Sequence, residues 1–316
     1  DIYTNRLIKR SKHLRKWARR SNIFCYRIYD KDIPEIPLAV DYYQDIEDNE
    51  YLVIALYERP YDKPEAEEEV WMNAIKHASS FALSIPESHI FTKIRRRQKG
   101  DSQYEKIAEG EKSIIIKEQG QLFQINLSDY LDTGLFFDHR PLRLAIRSQA
   151  ANKTVLNLFC YTGSFSVYAA QGKASAVDSV DLSKKYLSLA KNNFSLNKLV
   201  NDAYTFIESD SLTFLESTKK NWDIIILDPP TFSNSKKTET TLDINKDWPT
   251  FVNLCIEHLN PKGILYFSTN SLRLKFEEEL VAPDCLDILI SDISEETIPE
   301  DYRNTKIHRC WKIQKT

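Results

Sequence analysis

The sequence predicts an α/β fold in which a small α+β domain precedes a mostly parallel, doubly wound sheet. Three observations support this: short apolar runs recur after residue 150, helical stretches separate them, and the last two strands have no helix between them. The predicted strands are Val155–Phe159, Ala176–Asp181, Tyr204–Ser209, Asp223–Leu227 and Ile264–Ser268. The predicted helices cover 164–171, 183–197, 211–219 and 245–260. Strands that alternate with helices at this spacing form a parallel sheet with both faces covered.

The C-terminal strands, Leu286–Ile293 and Ile307–Ile313, predict an antiparallel hairpin at one edge of the sheet. A Rossmann-like parallel sheet that ends in such a hairpin is typical of class I methyltransferases rather than of dehydrogenases. A fold does not by itself imply a function, so the function has to be inferred from the site residues.

The sequence pattern predicts a small α+β domain over residues 1–126. It predicts a larger domain, which carries the sheet, over residues 127–316. Residues 5–21 read as a helix with Leu7, Leu14, Trp17 and Ala18 on one face. A second helix, from Pro64 to Leu83, is expected to turn Val70, Ile75, Ala78 and Phe81 inward. The predicted strands are 24–29, 38–43, 51–57, Ile90–Ile94, Ser113–Glu118 and Leu122–Asn126.

Basic residues are concentrated in two segments although the net charge of the chain is −3. Residues 1–27 hold nine basic residues, among them Arg6, Arg10, Lys16 and Arg19, against one acid, Asp1. The second segment consists of Lys93, Arg95, Arg96, Arg97 and Lys99. Such local clusters in an acidic chain indicate surfaces that grip phosphates, and all but Lys93 of the residues named are candidate RNA contacts. A solvated basic helix without a ligand is the alternative.

The five cysteines are scattered and show no CxxC spacing, which indicates neither a zinc site nor a disulfide framework. No metal ligand set is evident. No apolar run approaches the roughly 20 residues of a membrane span, and no signal peptide is visible. These features predict a cytoplasmic protein with reduced thiols. The chain starts at Asp1 and its one methionine is Met72, so we expect it to begin inside a longer gene product.

Ligands of doubly wound sheets bind at the carboxyl ends of the strands. The segment after the first strand of the large domain runs from Asn157 through Phe159, Tyr161 and Thr162 to Gly163. Gly163 lets backbone N–H groups approach a ligand, but the GxGxxG of a dinucleotide site is absent. A cofactor without phosphates, such as S-adenosyl-L-methionine, fits this segment better. An ordinary strand–helix turn is the alternative.

Three carboxylates stand at the ends of the next three strands: Asp181, Asp210 and Asp228. They are suited to accept hydrogen bonds from ribose hydroxyls, an adenine amino group and a ligand ammonium, respectively. Any one of them could instead cap a helix N-terminus. Their recurrence at successive strand ends favours the cofactor interpretation.

Asp228 opens the segment Asp-Pro-Pro-Thr-Phe-Ser-Asn-Ser-Lys, which ends at Lys236. The two prolines stop the strand ladder and stiffen a loop over the sheet edge. Phe232 could stack on a base, and Asn234 or Lys236 could meet a base edge or a phosphate. Simple chain reversal is the alternative.

These blocks resemble the RlmK-type methyltransferases, the C-terminal half of the fused bacterial enzyme RlmKL. The resemblance covers essentially the whole chain. It rests on 132–140 (DTGLFFDHR), 157–163, 228–236, 301–304 with 307–311, and on N-terminal segments including 95–100. It implies a Rossmann-like catalytic domain behind a small RNA-contacting domain, and methyl transfer from S-adenosylmethionine to guanine N7 in domain V of 23S rRNA. It also implies an upstream half that makes N2-methylguanine in the full-length protein.

The chemistry of the possible target atoms narrows the choice. Methylation of pyrimidine C5 needs a nucleophilic cysteine, and 267–271 contains none. Exocyclic amino groups are handled by an Asn/Asp-Pro-Pro-Tyr/Phe loop, from which Thr231 departs without excluding that reaction. Guanine N7 is already nucleophilic and loses no proton, so the absence of an evident base fits it best. Asp228 and Thr231 are expected to shape the site, Phe232 to stack the base, and Asn270 and Arg303 to contact RNA.

Three other functions remain open at this level. One is methylation of guanine N2, and another is a cofactor-binding RNA assembly factor without catalysis. A nicotinamide dehydrogenase is the third, which the missing glycine fingerprint disfavours. The expected partner is 23S rRNA, either naked or in a large-subunit assembly intermediate.

Overall fold

The computed structural model describes residues 1–57, 64–95, 112–233, 241–282 and 287–316. They divide into two units. The first comprises Asp1–Phe137 with Glu300–Asn304, and the second Asp138–Pro299 with Thr305–Thr316. The first unit therefore runs past the boundary predicted at residue 126 and takes in a short segment from near the C-terminus. In the described ranges, every helix is too short or too polar to cross a membrane.

The first unit contains two long helices and a four-stranded sheet. The helices are α1 (Ile2–Arg20) and α2 (Glu65–Leu83), and the sheet strands are β1 (Cys25–Asp30), β2 (Leu38–Gln44), β3 (Glu50–Tyr57) and β4 (Ile90–Arg95). The sheet order is β1-β2-β3-β4, antiparallel except for the parallel pair β3/β4. A separate antiparallel hairpin consists of β5 (Ser113–Glu118) and β6 (Gln121–Asn126). The predicted α+β character of this part is confirmed.

The buried face of α1 agrees with the prediction, whereas that of α2 does not. Leu7, Leu14 and Ala18 are buried against the sheet. On α2 the buried residues are Met72, Ile75, Ser79 and Leu83, while Val70 and Phe81 are 70% and 75% exposed. The prediction for Val70 and Phe81 was wrong because the helix presents the 72–75–79–83 row to the core. Apolar residue type alone did not identify that row.

The segment Glu300–Asn304 is fixed to the first unit through β1. Asp301 is fully buried, and its Oδ2 accepts a hydrogen bond of 2.9 Å from the backbone N–H of Arg27. The guanidinium of Arg27 lies 4.6 Å from the ring centroid of Tyr302, a cation–π contact. Burial of a charged residue requires such partners, which explains why this segment packs with the first unit.

The second unit is built on a seven-stranded sheet with helices between its strands. The chain order is α3 (Arg140–Gln149), β7 (Thr154–Leu158), α4 (Ser164–Gln171), β8 (Ala176–Asp181), α5 (Lys184–Leu196), β9 (Tyr204–Glu208), α6 (Ser211–Ser217), β10 (Trp222–Leu227), β11 (Phe232–Ser233), β12 (Leu242–Asp243), α7 (Ile244–Glu257), β13 (Leu259–Thr269), β14 (Ile288–Asp292), α8 (Ser294–Thr297) and β15 (Arg309–Lys315). The sheet order is β14-β15-β13-β10-β7-β8-β9, and β11 and β12 form a separate two-stranded ladder. The predicted Rossmann-like class I sheet is confirmed. Because the strand order reverses between β7 and β10, the carboxyl edge there is the expected ligand site.

The terminal hairpin is antiparallel, as predicted, but two details of the prediction were wrong. Its second strand begins at Arg309 rather than at residue 307, and the single-turn helix α8 lies between the two strands. The hydroxyl of Ser294 donates to Asp292 Oδ1, which starts that turn locally. Strand β15 inserts between β13 and β14, and Trp311 stacks on Phe267 and Phe276 beneath it.

Candidate active site

The loop between β7 and α4 turns sharply at the carboxyl edge of the sheet. Phe159, Tyr161 and Gly163 have positive φ angles of 53°, 51° and 74°. For Phe159 and Tyr161 this backbone region is sterically unfavourable, so the surrounding contacts must stabilise it. One such contact is the hydrogen bond of 2.9 Å from the backbone N–H of Tyr161 to Asp181 Oδ2. The loop is thus bent into a fixed shape next to the end of β8.

Gly163 is required by packing as well as by its φ angle. A Cβ at this position would lie 2.8 Å from Cβ of Ala190 on α5. The loop therefore approaches α5 more closely than any residue with a side chain would allow. Buried Asn193 on the same helix donates from Nδ2 to the backbone carbonyl of Thr162 at 2.9 Å.

Asn157 lies in the interior below this loop. It is 1% exposed, and its Nδ2 donates a hydrogen bond of 2.9 Å to Oγ of Ser166 on α4. Ser179 of β8 donates to the same Oγ at 2.8 Å. The Asn157 amide thus belongs to a polar network between strand and helix, and supports the loop from beneath.

Asp181 is held by two backbone donors at the end of β8. Its Oδ1 accepts from the N–H of Ser183 at 2.8 Å, and its Oδ2 accepts from Tyr161. Burial raises the pKa of this carboxyl above its ordinary value of 3.8, although the two N–H donors oppose the shift. Each carboxylate oxygen has a second lone pair, so a ribose hydroxyl can still be accepted.

Asp210 is the N-cap of α6. Its Oδ2 accepts from the N–H of Thr213 at 3.0 Å and from the Thr213 hydroxyl at 3.1 Å. Of the two roles predicted for the three aspartates, Asp210 therefore has that of a helix cap. A contact with the cofactor would be made in addition to the cap.

Asp228 follows β10, and a different side chain lies close to each of its two carboxylate oxygens. The hydroxyl of Ser268 donates to its Oδ1 at 2.5 Å, and Nε2 of His139 lies 3.3 Å from its Oδ2. The side chain of Asp228 is 25% exposed, whereas that of His139 is 9% exposed. The carboxylate is therefore fixed at the site edge with part of its surface accessible.

Thr231, Phe232 and Asn270 lie around the same edge. The hydroxyl of Thr231 donates to Oδ1 of Asn270 at 2.5 Å, which joins the loop after β10 to the end of β13. Phe232 is 51% exposed, an unusual position for a phenylalanine and suitable for stacking on a flat ring. The structure thus brings these three predicted residues to one edge of the sheet together with Asp228.

His139, Asp138 and His308 form a buried cluster that the sequence analysis did not identify. Asp138 Oδ2 accepts a hydrogen bond of 2.9 Å from His308 Nδ1, and the two imidazole rings stack with centroids 4.4 Å apart at an interplanar angle of 14°. The block DHR at 138–140 contributes to the family resemblance alone, and two histidines so far apart in sequence carry no spacing signal. Stacked rings direct their in-plane lone pairs side by side rather than toward one point, so the cluster does not suit a metal ion.

The segment 267–271 holds no cysteine, but the structure places Cys310, at the amino end of β15, beside it. Cys310 pairs with Ser268 across β13 and β15, and the charge of Asp228 contributes to its raised pKa. Because β15 is antiparallel to β13, its first residues lie at the carboxyl edge. Burial is the main cause that raises the pKa of this thiol well above its ordinary value of 9.0, so it stays protonated and is no nucleophile. Cys25, Cys160 and Cys255 are also buried thiols.

The candidate RNA contacts divide into engaged and open side chains. Arg6 pairs with Asp32 at 2.6 Å, Arg10 donates to the carbonyls of Ile28 and Asp301, and Arg303 donates to the carbonyl of Asp32. Lys93 is buried and donates to the carbonyl of Tyr130. Lys16 and Arg19 are exposed and line a groove on the first unit together with Lys12, Arg15 and the end of α2. Arg95 ends β4, and Arg96, Arg97, Lys99 and Lys236 lie outside the described residues.

The sheet order, the bent loop after β7 and the acids at the next strand ends define a class I methyltransferase. The family model of S-adenosylmethionine-dependent methyltransferases matches residues 37–279. The chain belongs to this family and, within it, to the ribosomal RNA large subunit methyltransferases K. Its cofactor is S-adenosylmethionine. The residues at the carboxyl edge fit that ligand, because Asp181 and Asp228 are partly accessible carboxylates that can accept from its hydroxyl and ammonium groups.

Relatives support this assignment over nearly the whole chain. Ribosomal RNA large subunit methyltransferase K of Neisseria meningitidis is 42% identical over 99% of this chain and 86% of its own length. The K/L enzyme of Pseudoalteromonas atlantica is 44% identical over 98% of this chain but only 43% of its own length. The chain thus spans less than half of the K/L relatives. SMU.776, a methyltransferase solved with SAH, shares the fold with a TM-score of 0.75 at 24% identity, over 99% of this chain and 81% of that one.

Proposed function

We propose that this protein transfers the methyl group of S-adenosylmethionine to N7 of a guanine in domain V of bacterial 23S ribosomal RNA. The observation that carries the proposal is the state of Asp228 at the carboxyl edge. Its two oxygens face the Ser268 hydroxyl and His139 Nε2 and its side chain is 25% exposed, so it is an oriented, partly accessible negative charge suited to a cationic group.

Proton removal is the step that separates the candidate target atoms. Methylation at exocyclic N2 releases a proton, whereas the N7 lone pair reacts without losing one. No base is evident in the sequence, but the structure places His139 beside Asp228, and a histidine beside an aspartate can act as a base. However, Nδ1 of His139 is buried without a hydrogen-bond partner among the described residues. Because Nε2 faces Asp228 and the residue is only 7% exposed, the ring is poorly placed to take a proton from a substrate, and this supports N7.

The chain's residues supply orientation and charge to the reaction. S-adenosylmethionine supplies an electrophilic methyl group on a sulfonium sulfur. The bent backbone of 159–163 and the carboxylate of Asp181 are proposed to hold the nucleoside part, and Asp228 the ammonium of the amino-acid part. Phe232 would stack the target base, and the Thr231–Asn270 pair would set the position of the loop that carries it. Such alignment accounts for much of the rate in a transfer between bound partners.

RNA binding is assigned to the first unit and to polar residues at the carboxyl edge of the second. Lys16 and Arg19 line an exposed groove, and these long cations can pair with phosphates without giving up a structural partner. Three candidates already form hydrogen bonds or ion pairs within the first unit: Arg6, Arg10 and Arg303. We therefore propose that they contribute less to RNA binding. N7 of a paired guanine faces the deep, narrow major groove of RNA, so the target must be splayed out or the helix opened.

The test is transfer of labelled methyl to 23S rRNA that lacks its native modifications, followed by mass spectrometry of the nucleosides. N7-methylguanosine is the expected product. N2-methylguanosine would assign the chain to exocyclic chemistry and overturn the argument from His139. Stoichiometric binding of S-adenosylmethionine without any product, on naked rRNA and on assembly intermediates alike, would favour a non-catalytic assembly factor.

A further inference from the structure

His139 lies at the N-terminus of α3, far from Asp228 in the sequence, yet it contacts that carboxylate. Its Nε2 is 3.3 Å from Asp228 Oδ2 and 3.8 Å from Asp138 Oδ2. An ionised carboxylate only accepts hydrogen bonds, so the two acids favour the tautomer in which the nitrogen that faces them carries the proton. We propose that His139, as the neutral Nε2–H tautomer, is a positioning residue that holds Asp228 in its working orientation. The inference rests on the proposed role of Asp228 at the methyl-transfer site.

The ring of His139 is held by two ring contacts, as suits a positioning residue. It stacks on His308, and the ring of Phe165 packs against it edge to face at 5.6 Å. His308 is itself fixed, because its Nδ1 donates to Asp138 and its Nε2 lies 2.9 Å from Oγ1 of Thr297. A side chain locked by packing and by a second layer of hydrogen bonds can orient a functional group with little loss of entropy.

Neutrality of the ring matters as much as its position. Burial lowers the pKa of His139 below its ordinary value of 6.5, despite the opposing charges of Asp228 and Asp138, while His308 and Arg143 add to the lowering. A proton on Nδ1 would also find no acceptor there among the described residues. A neutral donor can orient Asp228 and leave its negative charge in place. A lysine or an arginine would neutralise that charge. The carboxylate therefore remains available to a cationic ligand group.

Ser268 completes the arrangement from the opposite side. Its hydroxyl, also neutral and 1% exposed, donates to Oδ1, while His139 Nε2 lies 3.3 Å from Oδ2, so a neutral polar group stands beside each oxygen of Asp228. The orientation of the carboxylate plane is then determined by two elements, α3 and β13. Loss of either donor should let the plane rotate and weaken every contact that depends on its direction.

The test compares His139→Gln with His139→Asn. The side-chain amide nitrogen of glutamine can occupy the place of Nε2, whereas that of asparagine reaches only the place of Nδ1. We expect the glutamine variant to recover most of the activity. The asparagine variant should lose roughly 10- to 100-fold in kcat, a usual effect of removing an orienting partner. Affinity for S-adenosylhomocysteine, measured by calorimetry, should weaken in the asparagine variant and be largely kept in the glutamine variant.

Two further readouts separate positioning from a merely structural role. The acid limb of the wild-type pH–rate profile should contain the ionisation of His139, and the glutamine variant should lack it. Thermal unfolding of both variants verifies that they fold. Equal kcat and equal S-adenosylhomocysteine affinity in both variants would overturn the proposal. Because product affinity and the pH profile do not depend on which RNA atom is methylated, failure of the N7 assignment would leave this result readable.

Discussion

The hydroxyl of Ser268 on β13 donates a 2.5 Å hydrogen bond to Oδ1 of Asp228, the residue that follows β10. β10 and β13 are neighbouring parallel strands, with Leu227 paired to Phe267. The hydrogen bond therefore joins two adjacent strand ends, and β10 borders the point, between β7 and β10, where the strand order reverses and a ligand is expected. A buried hydroxyl at this place fixes a carboxylate that is otherwise 25% exposed.

Replacement of Asp228 by Asn or Ala should lower methyl transfer by roughly 100-fold or more, because the proposed partner of the cofactor ammonium, and with it the alignment of the methyl group, is lost. Binding of S-adenosylmethionine should weaken while the fold is kept. Asp223→Asn is the matched control at the other end of the same strand. Asp223 accepts from the backbone and hydroxyl of Thr154, which helps to lower its pKa, so its loss should reduce stability but not transfer. Full activity of Asp228→Ala would refute the proposed site.

The pair Thr231–Asn270 should be energetically coupled in catalysis. Thr231→Val and Asn270→Ala each remove the hydrogen bond between them. If the bond positions the loop, the double variant should lose no more than the worse single variant, with a coupling energy of about 0.5–1.5 kcal/mol. The measurement is a double-mutant cycle on kcat/KM with rRNA. Strictly additive losses would mean that the two residues act separately.

Gly163→Ala should destabilise the protein by about 2–5 kcal/mol, from the positive φ angle together with the contact to Ala190. Gly120→Ala is the control, since its φ is +95° but nothing lies within 4 Å of the added Cβ. The Gly120→Ala variant should lower the free energy of unfolding by about 1–2 kcal/mol. Urea unfolding gives both values. Adding Ala190→Gly to Gly163→Ala should restore part of the loss, and no recovery would show that the contact is not the cause.

Replacing Lys12, Lys16 and Arg19 by Gln should weaken RNA binding and leave cofactor binding unchanged, because these residues line the groove on the first unit. The slope of log K against log salt should fall by about 2 for three lost phosphate contacts on single-stranded RNA. A variant with Lys198, Lys219 and Lys262 replaced by Gln controls for net charge. Equal salt slopes in the two variants would remove the groove from the RNA site.

The stability of the protein should decrease below pH 6.5, in part because of His139. The folded-state pKa of His139 is lowered from 6.5, so below that pH the unfolded chain binds a proton that the folded protein does not. The contribution of His139 to the free energy of unfolding is fully present above pH 6.5. It is lost as the pH falls toward the folded-state pKa of His139, by up to about 1.4 kcal/mol per pH unit. Urea unfolding at several pH values checks this. The wild-type curve should be steeper than that of His139→Gln over this range, and parallel curves would contradict the assignment.

Much of the fold could be predicted because it depends on local patterns. The strands Ala176–Asp181 and Ser113–Glu118 and the helix at 164–171 lie where the sequence placed them. Each is a short run whose hydrophobicity and flanking residues are sufficient. The inward face of α2 was assigned wrongly for Val70 and Phe81, since residue type does not say which side of a helix meets the core.

The sequence by itself determined the class of sheet, the strand ends and hence the loop and acids at its carboxyl edge, because strand–helix alternation places every such end on one side. Only the tertiary structure decided what meets Asp228. Ser268 and His139 reach it through strand order and ring packing, which no local pattern encodes. The same holds for the basic helix, where Asp32 engages Arg6 while Lys16 and Arg19 stay exposed. Contacts between residues distant in the chain depend on how whole elements pack, and that is settled when the core forms.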